Sequence, residues 1–163
     1  MDAPLQPRTY TLKEAVTILH RSGGAEEANR ITRHIRHWTF LDLLIPEGDK
    51  HTGTGRAREY RVEEIYRAAA LLELAKWRVP VTVLADTFRQ FTADFEKEWM
   101  LAVDGKKDIY VTMTWSDGLT VWNIAAGKPE LFMLKDPAAE SGLGGPASAI
   151  VINLTSVLRG LRF

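Results

Sequence analysis

Asn29-Arg30-Ile31-Thr32-Arg33-His34-Ile35-Arg36-His37-Trp38 is the stretch on which the reading of the N-terminal half turns. Ile31, Ile35 and Trp38 recur at the interval that brings side chains onto one face of an α-helix. Arg30, Arg33, His34, Arg36 and His37 occupy other positions. The spacing predicts an amphipathic helix that begins around Glu26 to Asn29, runs to about Trp38, buries its apolar stripe and turns a cationic face to solvent. From Ala28 to Arg61 the bias persists: Arg30, Arg33, Arg36, Lys50, Arg56, Arg58 and Arg61 stand against Asp42, Glu47, Asp49 and Glu59. This is the one basic patch in a chain whose 21 Lys and Arg balance 21 Asp and Glu, so a polyanionic partner has to be met here.

Upstream, Thr11 followed by Glu14 forms a capping-box sequence, and Leu12, Ala15, Val16 and Leu19 make a short helix ending near Ser22-Gly23-Gly24. Downstream, Leu41, Leu43, Leu44 and Ile45 form an apolar exit that Pro46 ends. Glu47 to Ala57 is polar and glycine-containing, as a solvent-exposed hairpin or wing would be, with Glu59 to Val62 as its returning strand. A third helix opens at Val62 or Glu63 and continues to about Lys76, with Ile65, Ala68, Ala69, Leu72 and Ala75 as its core face and Pro80 as its stop. Helix, turn, cationic second helix, polar wing and third helix follow the order of a winged helix-turn-helix, whose second helix enters the major groove.

The same segment, roughly residues 10–88, resembles the MerR-like DNA-binding domains. Tyr10-Thr11-Leu12-Lys13-Glu14-Ala15 is similar to that family's opening aromatic, N-cap and first helix. Ile35-Arg36-His37-Trp38 resembles its Leu-Arg-Tyr-Tyr signature in residue type. Leu43-Leu44-Ile45-Pro46 falls where the family has Gly-Leu-Leu followed by Pro, with Asp42 at the position of the Gly. Arg58-Glu59-Tyr60 resembles the wing's Arg-x-Tyr, and Ile65 stands where the third helix begins to bury its face. No single motif is specific; their order is. The chain departs from the pattern at Ala57, which replaces the wing's first aromatic, and in the connection Arg21 to Asn29, which is longer than the compact turn of most members. The resemblance implies duplex DNA as partner and a dimer built on a long helix after the DNA-binding domain. It does not extend to the C-terminal module.

A guanidinium on a groove-entering helix either neutralises phosphate or forks onto a guanine edge, and only the second carries sequence information. Arg33 and Arg36 are the leading DNA-contact candidates, with Arg30 and His37 behind them. Arg56 and Arg58 on the wing suit phosphate or minor-groove contact, and the resemblance favours Arg58. Arginines also keep any surface helix soluble, so the order of elements carries this assignment more than the charge does. His34 and His37, without a third ligand nearby, are a poor metal pair. No metal or cofactor is expected.

After Thr82, apolar residues fall at Leu84, Phe88, Phe91, Phe95 and Trp99, a helical stripe closed by Gly105 that serves as core or as the seam of a homodimer. From Ile109 the period changes to that of a strand, and Asp117-Gly118 is the pair a type I′ turn requires. A turn there pairs Trp115 with Thr120, Met113 with Trp122 and Val111 with Ile124. It puts Val111, Met113, Trp115, Trp122 and Ile124 on one face and Thr112, Thr114 and Asn123 on the other. Glu130 to Leu134 and Ala149 to Leu154 read as further strands, and Thr155 or Ser156 to Leu161 as a terminal helix or strand end. Ala138 to Ala149 reads as loop. The face of Trp115 and Trp122 is sheet core, or lines a pocket for a small-molecule or protein effector.

The expected fold class is α+β in three parts: residues 1–80, a winged-helix DNA-binding domain; 81–104, a connecting or dimerisation helix; and 105–163, a small antiparallel β-rich module. The chain has no cysteine, and no histidine follows His51, so thiolate chemistry is excluded, no catalytic residue stands out, and an enzyme is not expected. The opening Met1 to Arg8 lacks the basic and apolar regions of a leader, and no run of about 18 apolar residues occurs, so a cytoplasmic location and no membrane are expected. The expected function is a sequence-specific transcriptional regulator acting as a homodimer on double-stranded DNA. Mobile-element or phage proteins of the excisionase or terminase small-subunit type, and helix-turn-helix protein-interaction modules, use similar parts and stand as alternatives.

Overall fold

Thr11 sets where the first helix begins. Its hydroxyl accepts the Glu14 amide at 3.3 Å, and the Glu14 carboxylate accepts the Thr11 amide at 2.8 Å, completing a capping box. That amide, with the Thr11 hydroxyl, holds the Glu14 carboxyl below its ordinary pKa. Helix α1 (Leu12–Leu19) follows and buries Ala15, Val16 and Leu19. The computed structural model describes residues 8–48, 57–85, 101–105, 107–116, 119–126, 148–161 and 163. The architecture is α+β with small antiparallel sheets, and the chain divides into two units, Met1–Gln90 with Gly160–Phe163, and Phe91–Arg159.

In the first unit, α2 spans Ala25–Phe40 and buries Ile31, Ile35, Trp38 and Thr39. It starts earlier than its sequence suggests, so the connection is the short run from His20 to Gly24 and the expected long one from Arg21 to Asn29 does not exist. The cause is Gly24, an N-cap with no side chain to announce the boundary, while Glu26 and Glu27 sit in the first turn, where carboxylates suit the positive end of the helix dipole. The other end is a Schellman turn. Asp42 is left-handed, at φ 58°; its amide donates to Thr39 O at 3.3 Å, and the Leu43 amide donates to Trp38 O at 2.9 Å. Of the apolar exit, Leu43 and Leu44 are buried and Ile45 is exposed.

Strand β1 (Thr9–Thr11), which the sequence does not announce, pairs antiparallel with β2 (Glu59–Arg61), Tyr10 opposite Tyr60. Glu59 also bridges to Glu47, whose amide donates to Glu59 O at 2.7 Å. Helix α3 (Val62–Lys76) follows β2 directly. It is buried nearly all round at its start, and its most enclosed leucines are Leu71 and Leu74, whereas Leu72 and Ala75 of the expected core face are half-buried. Each aliphatic side chain fully buried this way contributes about 1.5–3 kcal/mol. The helix ends at Trp77 and a left-handed Arg78 (φ 57°), ahead of Pro80. Pro80 instead opens the next helical turn, residues 81–85, by accepting the Leu84 amide at 3.1 Å. Leu84, expected in the core or on a dimer seam, is buried; Phe88, Phe91, Phe95 and Trp99 lie outside the described residues. Phe163 packs its ring 5.6 Å from those of both Tyr10 and Tyr66.

In the second unit, β3 (Ile109–Ser116) lies between β4 (Leu119–Ala126) and β5 (Ser148–Asn153), antiparallel to both. The β3–β4 register pairs Trp115 with Thr120, Met113 with Trp122 and Val111 with Ile124, as the alternation requires. Ile109 and Met113 are buried, and so is Thr112 from the face expected to be polar. Asp117, Gly118 and the expected strand Glu130 to Leu134 lie outside the described residues. Helix α4 (Leu154–Arg159) begins at Leu154, expected as a strand residue, with Asn153 Oδ1 accepting the Ser156 amide at 2.9 Å. Thr155 Oγ1 accepts the Ile109 amide at 2.9 Å and donates to Lys107 O at 3.0 Å, tying α4 to the head of β3. The helical residues 101–104 end at Gly105 (φ 63°), whose carbonyl accepts from Arg159 at 2.6 Å.

Candidate nucleic-acid interface

Because α2 puts Ile31, Ile35 and Trp38 inward, the residues between them are forced outward, and the structure sorts these cations into separate groups. Arg30 is consumed locally. Its guanidinium forks onto Glu27 at 2.9 and 2.7 Å, which lowers the Glu27 pKa and raises that of Arg30. His34 is a packing residue: its ring stacks on Trp38 at 4.9 Å and 25°. Burial, then the charges of Arg30, His37 and Arg33, push its pKa below the ordinary value. Arg33, Arg36 and His37 are exposed, and their side chains make no hydrogen bond or ion pair among the described residues.

The segment after α2 is anchored from below by α3. Glu64 Oε2 accepts the Ile45 amide at 2.8 Å and pairs with Arg67, whose Nη1 lies 2.9 Å from Oε1. Burial raises the Glu64 carboxyl pKa despite that neighbour. At the Glu47–Glu59 bridge, Arg61 forks onto Glu47 at 2.7 and 2.6 Å, so Arg61 leaves the basic patch just as Arg30 does. The pairing holds the Glu47 carboxyl below its usual range. Sequence alone does not foresee these internal neutralisations, because Glu47 and Arg61 become neighbours only through the bridge. Arg58 is half-buried beside β2, and Arg56 and Lys50 lie outside the described residues.

Between α1, α2 and the residues before β2 lies an open cleft of about 740 Å³. Lys13, Arg36 and Arg58 line it together with Thr11, Thr17 and Thr32. It gathers two of the expected DNA-contact residues, Arg36 and Arg58, and adds Lys13, which the sequence reading passes over. Arg33 is outside the lining. Among the described residues no cluster of His, Asp and Glu could hold a metal ion, and no helix is long and apolar enough to cross a membrane. Neither a protein-family model nor a curated protein matches the chain.

Proposed function

We propose that the first unit is a winged helix-turn-helix that binds double-stranded DNA, and that the chain is a sequence-specific transcriptional regulator acting as a homodimer. The observation that carries this reading is the exposed face of α2, where the side chains of Arg33, Arg36 and His37 make no hydrogen bond or ion pair among the described residues. Two exposed arginines that find no counter-charge among the described residues, on a helix that neutralises its neighbour Arg30, are suited to an external polyanion. On this reading α2 enters the major groove, and Glu47 and Glu59 form the root of the wing. Two further features support the resemblance to MerR-like domains: the compact connection from His20 to Gly24, and the left-handed Asp42 where the family has Gly. A second copy of the chain follows from scale, since one module covers little duplex and a two-fold pair doubles the contact.

The test is selection of bound sequences from a random duplex library, followed by titration of the winning site at several salt concentrations. Affinity should fall with salt at a logarithmic slope of about 0.9 per phosphate contacted. Absence of duplex binding at low salt would defeat the reading. A non-palindromic site bound by one copy would remove the homodimer and leave the DNA partner in place.

A further inference from the structure

Phe163 is seated on two tyrosine rings that belong to different elements. Its ring lies 5.6 Å from Tyr10 on β1, tilted by 57°, and 5.6 Å from Tyr66 on α3 at 87°, the edge-to-face arrangement that aromatic pairs prefer. Both tyrosines are buried, whereas Phe163 is 50% exposed, so the seat is part of the core and its occupant is only half enclosed. The seat also reaches α2: Tyr10 stands opposite Tyr60 in the β1–β2 pair, and the Tyr60 hydroxyl meets Thr39 Oγ1 at 3.0 Å. Gly160 gives the same segment a second foothold just after α1, where a Cβ would come within 2.8 Å of the guanidinium carbon of Arg21.

Immediately before Gly160, α4 is fastened to the second unit. Thr155 Oγ1 holds it to the head of β3, Asn153 Oδ1 caps its start, and Arg159 donates to the Gly105 carbonyl at 2.6 Å. Four residues span at most roughly 14 Å, so a displacement of α4 is passed to Phe163 rather than absorbed by a long linker. Resting on the DNA-binding reading, we propose that residues 160–163 are a strap by which the second unit controls the first. Seated, Phe163 fixes β1 against α3 and, through Tyr60 and Thr39, the end of α2. Withdrawn, it lets that framework loosen, and the DNA affinity of α2 falls. The half-exposed ring makes the seat releasable, because the buried Ile31, Ile35 and Leu71 stay packed without it.

The experiment uses the full chain and compares Phe163→Ala, Phe163→Tyr, Thr155→Val and Asn153→Ala, the last two also combined with Phe163→Ala. Amide hydrogen exchange and titration with the selected duplex are the readouts. Phe163→Ala should speed exchange in β1 and at the capping-box amide of Thr11 by roughly 2- to 10-fold and leave β3 unchanged. It should weaken DNA binding by a similar factor with the salt slope unaltered, since no charge is removed. Phe163→Tyr, which keeps the ring, should behave as wild type. Thr155→Val and the milder Asn153→Ala lie outside the first unit, yet each should speed β1 exchange, and neither should add to the effect of Phe163→Ala. β1 exchange that ignores Phe163→Ala, or that ignores both second-unit variants, would overturn the strap. So would second-unit effects that persist in the Phe163→Ala background, because the signal would then travel by another route. Exchange needs no DNA, so these outcomes decide the strap by themselves. A wild-type protein that binds no duplex overturns the DNA-binding reading and, with it, the effect on affinity.

Discussion

Glu64→Gln removes the negative member of a buried ion pair and little else. Glu64 and Arg67 lie one turn apart on α3, with side chains only 11% and 9% exposed and a closest N–O distance of 2.9 Å. Glutamine preserves volume and an acceptor for the Ile45 amide, but it leaves the Arg67 guanidinium buried without a counter-charge. Arginine cannot escape by losing its proton. Breaking one side of a buried pair costs about 3–5 kcal/mol, and the residual exposure here puts the expectation near the lower bound, about 3 kcal/mol. Arg67→Met strands Glu64 instead, and a carboxylate does have an escape. Burial already raises its pKa above the ordinary 4.5, and the opposing attraction of Arg67 would be gone. A folded pKa above the unfolded one means a penalty that is absent below the unfolded value and grows as pH rises through the folded value. The Arg67→Met deficit should therefore shrink between about pH 7.5 and pH 5, whereas the Glu64→Gln deficit should not share that trend. Glu64→Gln combined with Arg67→Met should return to within about 1 kcal/mol of wild type. Urea unfolding followed by far-ultraviolet circular dichroism at both pH values reads all of this. A Glu64→Gln cost below about 1 kcal/mol, or an Arg67→Met deficit that ignores pH, would refute the reasoning.

Arg78→Gly should stabilise the protein by roughly 0.5–1 kcal/mol, because Arg78 holds φ at 57° and glycine does so without steric cost; a lower melting temperature would contradict this. Gly105→Ala should cost about 1–2 kcal/mol, since φ is 63° and a Cβ would meet the Arg159 guanidinium that bonds the Gly105 carbonyl. Faster amide exchange at Ile109 is the expected local sign, and unchanged exchange counts against it. His34, with its folded pKa below 6.5, gives stability that is full above that value and is lost as pH falls below it toward the folded pKa. Replacing it with Gln should flatten the melting temperature profile between about pH 7 and pH 5, and an unaltered profile would show that the stacked ring does not titrate in that window.

Local rules were legible where one residue type does one job. Thr11 with Glu14 announces a capping box, and the alternation around Asp117-Gly118 specifies a register that a one-residue slip would turn inside out. Boundaries without a side-chain signal were not legible: Gly24 caps α2 by backbone alone, and the left-handed residues that end α2 and α3 are Asp42 and Arg78, where a glycine would have marked the turn. The full buried extent of α3 is hidden in the sequence because Glu64 and Arg67 have the character of surface residues, and only the fold pairs them. The same blindness affects the candidate interface. Composition counts Arg30 and Arg61 with the basic patch, and only the fold shows that Glu27 and Glu47 have already claimed them. The cleft joins Lys13 to Arg36 and Arg58 across sequence distances that no periodicity connects.

Gly160–Phe163 belongs to the first unit although the second unit intervenes in sequence. The first unit is thus assembled from two separate passages of the chain, and it cannot be completed on the ribosome until Gly160–Phe163 emerge. At ordinary translation speeds roughly ten seconds or more separate the making of Tyr10 from that of Phe163, the ring that packs against it. During that interval Tyr10 and Tyr66 lack their aromatic neighbour, and Arg21, beside which Gly160 leaves no room for a Cβ, awaits the returning chain. A nascent chain stalled after Arg159 would carry a complete α2 yet an unfinished fold, so the emergence of Gly160–Phe163 becomes the step that closes the unit.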